Sequence, residues 1–375
     1  MDTRRAFLRS LCFGRADDSA ALVVVFLRGG ADGLNLVVPE FEPEYRRLRP
    51  TLAVGKTLPL DERFGLHPGL EPIRPLFQDR RLAVVHAVGS DDDTRSHFEA
   101  QDLMERAGRP LEGASGGWLA RHLRSKPGAR GAIAAVAIGP TLPESLRGAP
   151  SACALESLEE VALPQASPAF TGALEVLYRA EGSGAGAAGQ AALRLLERVN
   201  LAKEAKAPEG YPESGFGRSL REVARLLRAD VGLEAACVDL GGWDTHFAQG
   251  PLFTSLVEDL AGGLAAFAKN LGPRMEKTLV VVMTEFGRRA YENATLGTDH
   301  GRGSVMFLLG GPTRGGRVVT RWPGLGEGAL EGPGDLAVTI DYRDVLAEAL
   351  EKAAGNPRTA EVFPSFNPTP RGLFA

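Results

Sequence analysis

Asp244 and His246 stand two residues apart in Gly241-Gly242-Trp243-Asp244-Thr245-His246, just after the mostly apolar run Ala235 to Leu240. Two more polar loops follow apolar runs in the same way. They are Gly29-Gly30-Ala31-Asp32-Gly33-Leu34-Asn35 after Ala21 to Leu27, and Thr284-Glu285-Phe286-Gly287-Arg288 after Thr278 to Met283. A fourth cluster, Gly297-Thr298-Asp299-His300-Gly301, precedes the run Ser304 to Leu309. Asp32, Asp244 and Glu285, brought together without a cation, would repel one another and raise their pKa values. Bound divalent metal removes that penalty, and His246 and His300 add nitrogen ligands. Mixed nitrogen and oxygen donors suit zinc, manganese or iron, whereas all-oxygen sites suit magnesium or calcium. One or two metal ions are expected; a pair about 3.5–4 Å apart would stabilise both the attacking and the leaving oxygen of a displacement.

A nucleophile candidate lies in Asp91-Asp92-Asp93-Thr94-Arg95-Ser96-His97-Phe98. Ser96 opens a predicted helix, where backbone N–H groups favour a developing anion. Metal coordination could make its hydroxyl nucleophilic; read alone, Ser96 is an N-cap. Arg95 and Arg288 are candidates to grip a tetrahedral oxyanion, because guanidinium matches phosphate or sulfate oxygens with paired hydrogen bonds. Asn35, His97, Trp243 and Asp299 complete the substrate-facing set. His97 reads either as support for a ligand or as a helix-start residue, and Trp243 either as core or as a stacking platform. Glu285, taken alone, is a ligand or a plain strand-end charge. His67, His86 and His122 read as structural or surface histidines.

Six apolar runs must position these loops: Leu22–Leu27, Leu82–Ala87, Ala132–Ile138, Ala235–Leu240, Leu279–Met283 and Val305–Leu309. Helical periodicity separates them, at His97–Arg106, Trp118–Arg124, Ala192–Ala205, Gly217–Leu227, Leu252–Asn270 and Tyr342–Ala353, with Asp341 as the N-cap of the last. The alternation predicts an α/β fold with a doubly wound, mostly parallel sheet. Most runs do not alternate in polarity, as expected for strands covered on both faces. Ligands of such sheets bind beyond the carboxyl ends of the strands, where Asp32, Asp244 and Glu285 fall. Residues 20–375 read as one domain, with a helical insertion or cap at about 140–212 and a linker-like stretch from Gly182 to Gly189.

The chain has 375 residues, 44% hydrophobic and 24% charged, the composition of a globular protein. A net charge of -4 gives no general attraction to nucleic acid or anionic lipid. No segment reaches the roughly 20 apolar residues of a membrane span. The three cysteines Cys12, Cys153 and Cys237 lack the spacing of a zinc or redox motif, and Cys237 reads as core. Thr3-Arg4-Arg5-Ala6-Phe7-Leu8-Arg9 looks like a twin-arginine signal, but Arg9 and Arg15 interrupt the apolar region that export needs. Residues 1–19 are therefore expected to form a basic arm or degenerate leader, which favours a cytoplasmic location over export to the periplasm. The sequence does not specify the oligomeric state.

With these residues assembled, the chain resembles a bacterial family, domain of unknown function 1501, in the alkaline phosphatase and sulfatase superfamily. The matching stretches are Phe26 to Asn35, Arg95-Ser96-His97-Phe98, Gly116-Gly117-Trp118-Leu119-Ala120-Arg121, Gly241 to His246, Glu285-Phe286-Gly287-Arg288 and Gly297 to Gly301. The resemblance implies an alkaline-phosphatase-like sheet and a two-metal site for phosphate or sulfate esters, small-molecule or carbohydrate. It places Asp32 as the first-strand ligand, Ser96 as the nucleophile, and Asp244, His246 and His300 around one metal. Glu285 falls where the superfamily has a strand-end Asp followed by His; here Glu replaces the Asp and Phe286 the His. The sulfatase motif C-x-P-x-R is absent, so formylglycine chemistry is not expected. The expected activity is metal-dependent ester hydrolysis; the alternative is a binding or scaffold protein that keeps the fold with a partly degenerate site.

Overall fold

The run Ala21–Leu27 contains no polar residue, and all seven of its side chains are buried. Val23, Val25 and Leu27 face one apolar cluster and Leu22, Val24 and Phe26 face the other, so this strand is covered on both sides. The computed structural model describes residues 20–108, 115–128, 133–160, 167–182, 184–204 and 207–375; the expected basic arm lies outside them. In chain order the strands are β1 (Ala21–Leu27), β2 (Val37–Pro39), β3 (Leu58–Pro59), β4 (Phe64–Leu66), β5 (Leu82–Gly89) and β6 (Ala135–Ile138). They continue with β7 (Ala152–Leu155), β8 (Ala235–Leu240), β9 (Thr278–Met283), β10 (Ser304–Gly310), β11 (Arg317–Val319) and β12 (Ile340–Asp341).

The main sheet runs β11-β5-β10-β9-β1-β8-β6-β7, with β12 also on β5, and β2, β4 and β3 form a small separate sheet. β1 pairs in parallel with both β8 and β9. β10 is the exception: it is antiparallel to β5 and to β9. The fold is thus mixed α/β around a mostly parallel sheet, as expected.

The longer helices are α1 (His97–Arg106), α2 (Trp118–Ser125), α3 (Pro168–Ala180), α4 (Gly184–Glu204), α5 (Gly215–Arg228), α6 (Gln249–Leu271) and α7 (Tyr342–Lys352). Leu220, Val223, Leu260 and Leu264 bring α5 and α6 onto one face of the sheet, and Leu119, Leu123, Val345 and Leu350 bring α2 and α7 onto the other. Each such side chain, fully buried, contributes roughly 1.5–3 kcal/mol. The Asp341 side chain accepts from Arg343 N, capping α7. Two stretches differ from expectation. β7, an edge strand parallel to β6, lies inside the region read as helical. The linker-like stretch begins α4, because its alanines favour helix over coil. Among the described residues no helix is long and apolar enough to cross a membrane.

Candidate metal centre

The antiparallel sense of β10 decides where the site forms. The loops after β1, β8 and β9 leave the carboxyl edge of the sheet; β10 enters from that edge, so the loop before it, carrying His300, arrives at the same place. β5 also ends there and leads to α1, which opens on His97. Close backbone approach holds the loops together. A Cβ on Gly29, whose φ is +119°, would lie 2.5 Å from Asp244 N, and one on Gly297 would lie 2.3 Å from the His246 carbonyl carbon.

Three imidazoles converge on one carboxylate oxygen. Asp244 Oδ1 lies 3.0 Å from His246 Nε2, 3.0 Å from His300 Nε2 and 3.3 Å from His97 Nε2. The ligand atoms of His97, Asp244 and His300 all fall within 4.8 Å of one another. Each imidazole is anchored through its other nitrogen. His97 Nδ1 donates to Glu285 Oε1 at 2.8 Å, His246 Nδ1 to Asp299 Oδ1 at 3.1 Å, and His300 Nδ1 to the Arg95 carbonyl at 2.8 Å. Those acceptors select the Nδ1–H tautomer and leave lone pairs on Nε2. His246 Nε2 and His300 Nε2 are 2.8 Å apart, where two lone pairs repel unless a cation lies between them. His97 Nε2 is buried and has no hydrogen-bond partner among the described residues. Facing lone pairs, an orphaned imidazole nitrogen and a carboxylate are donors that fit zinc, manganese or iron.

The electrostatics favour the charged carboxylates. Burial works against charge on Asp244, yet the hydrogen bond from Arg288 and the closeness of the His300 and His97 imidazoles hold it far below the usual carboxylate range. Glu285 is likewise opposed by burial but lowered by His97, Gln101 and the Gly29 amide. The bond to Glu285 raises the His97 pKa, whereas burial lowers that of His300.

The remaining expected residues sit around this centre in other ways. Arg288 is buried and donates to Asp244 Oδ1 at 2.7 Å, to Gly30 O at 2.7 Å, to Trp243 O and Thr298 O at 2.9 Å, and to Gly29 O. It therefore ties the loops rather than facing a ligand. The Arg95 guanidinium grips buried Asp335 at 2.6 and 2.9 Å. Ser96 is at the N-cap of α1 but makes no side-chain capping bond among the described residues. Asn35 is buried against Tyr45, Arg49 and Leu52. Trp243 is 1% exposed and meets Phe253 edge-on, so it belongs to the core. Phe286 packs against the rings of both His97 and His300, at centroid distances of 4.8 and 4.9 Å. Asp32 bonds Arg49 and Gln249.

Gln101, Arg49 and Asp335 were not singled out in the sequence. Gln101 had a readable signal: it follows His97 by one helical turn, and both side chains reach Glu285 Oε1. Arg49 and Asp335 come from loops whose positions no local pattern specifies.

The chain belongs to a family of proteins of unknown function, DUF1501, whose model matches residues 19–361. No protein of curated function matches the sequence. Among solved structures, the phosphonate monoester hydrolase of Agrobacterium radiobacter is similar with a TM-score of 0.39 and 10% identity, covering 88% of this chain and 73% of that one. Ps i-CgsB in complex with k-i-k-neocarrahexaose is similar with a TM-score of 0.39 and 11% identity, covering 91% of this chain and 72% of that one.

Proposed function

We propose that this protein is a metal-dependent hydrolase of phosphate or sulfate esters, with His97, Asp244, His246 and His300 as the metal ligands. The observation that carries the reading is the convergence of three anchored imidazoles on Asp244 Oδ1. When bound, a divalent metal supplies Lewis-acid polarisation of an ester oxygen. The chain's own groups prepare the site. Glu285, Asp299 and the Arg95 carbonyl fix the tautomers, and Arg288 keeps Asp244 ionised. Ser96, beside His97 and without a capping bond, is the proposed nucleophile. Its place at the start of α1 favours the anion that forms there.

The test is metal analysis of protein grown in metal-replete medium, paired with turnover of aryl phosphate and aryl sulfate esters. Wild type is expected to carry divalent metal and to turn over at least one ester class, whereas Asp244→Ala and His300→Ala lose both properties. Wild-type protein free of divalent metal would refute the reading.

A further inference from the structure

We infer that Arg49 is a built-in cation that takes the place of a second metal ion, so that this chain binds one divalent metal rather than two. The inference rests on the metal centre proposed above. Asp32 and Glu285 are the two carboxylates of the expected metal set that stand outside the centre proposed above, and both are already committed. Asp32 Oδ2 accepts from Arg49 Nη1 at 2.6 Å and from Gln249 Nε2 at 2.6 Å, and the Arg49 and Asp32 side chains are 0% and 1% exposed. Glu285 Oε1 accepts from Gly29 N and His97 Nδ1 at 2.8 Å and from Gln101 Nε2 at 2.9 Å, and Oε2 accepts from Thr284 Oγ1 at 3.0 Å.

Arg49 is fixed as firmly as its partner. It also donates to Asn35 Oδ1 at 2.6 Å, Ala290 O at 2.9 Å and Arg289 O at 2.8 Å. A guanidinium cannot lose its proton in a protein, so this positive charge is permanent. A divalent ion beside it would meet like charge with water excluded. Asp32 Oδ1 is buried and lacks a hydrogen-bond partner among the described residues. Among the described residues, however, the group of three able to hold an ion is His97, Asp244 and His300, and Asp32 is not in it. One carboxylate oxygen facing an arginine is not a cation site.

The experiment counts metal per chain by elemental mass spectrometry, after equilibration with excess zinc or manganese and gel filtration, for wild type, Asp32→Asn and His300→Ala. The inference predicts one equivalent in wild type, one in Asp32→Asn, and loss in His300→Ala. Two equivalents in wild type would overturn it while leaving the metal centre standing, and a metal lost in Asp32→Asn but kept in His300→Ala would overturn both. No metal in any of the three would overturn the centre itself. If Asp32→Asn fails to fold, the wild-type count alone still decides between one and two.

Discussion

An imidazole makes a good metal ligand when its second nitrogen is held by an acceptor, and His97, His246 and His300 each meet that condition through a different partner. Glu285 is the strongest anchor because it is fully buried and bonds four donors. Glu285→Gln is expected to weaken metal affinity roughly 10- to 100-fold, measured by competition with a chromogenic chelator, since outer partners have effects of that size. Unchanged affinity would remove Glu285 from the account. Ser96→Ala is expected to lower kcat at least about 100-fold while leaving metal content intact, as removal of a nucleophile does. Retained turnover would instead make water the nucleophile. At this scale Asp244, His246 and His300 were legible because each lies beside a strand end. His97 was read only as a candidate for contact or support, since a histidine opening a helix looks the same whether or not a carboxylate lies beneath it. The Asp32–Arg49 pair was invisible, because nothing in the sequence marks a loop arginine as the partner of a strand-end carboxylate.

The elements converge because of strand direction. Six runs and six helices were legible from apolar periodicity, and the strand-end rule placed three loops at one edge. The sense of β10 was not legible: apolar side chains bury equally well in either direction, and only pairing with β5 and β9 shows it to be antiparallel. That reversal brings a loop lying before a strand to the same edge as loops lying after strands. β7 escaped notice because a four-residue edge strand with three partly exposed positions leaves little apolar signal. The loops after β1 and β8 depend on Gly29, where both the positive φ and the 2.5 Å approach to Asp244 N exclude a side chain. Gly29→Ala is expected to destabilise the fold by more than about 1 kcal/mol in denaturant titration and to weaken metal binding by displacing Asp244. A variant with wild-type stability and metal affinity would show that the contact is dispensable.

For the molecule as a whole, the four proposed ligands come from three stretches of chain separated by up to roughly two hundred residues, so binding and folding are coupled. Free metal at about 100 times its dissociation constant would stabilise the native state by roughly 2.7 kcal/mol. Chelation is therefore expected to lower the Tm of wild type by a few degrees. The Tm of Asp244→Ala should not respond to chelator. Equal responses in the two proteins would place any bound metal elsewhere. The central claim is the location of the metal, and anomalous diffraction at the zinc edge from zinc-soaked crystals tests it most directly. One peak within about 2.0–2.2 Å of Nε2 atoms of the His97, His246 and His300 group and of Asp244 is the predicted result. A peak at Asp32, or none at Asp244, would contradict it.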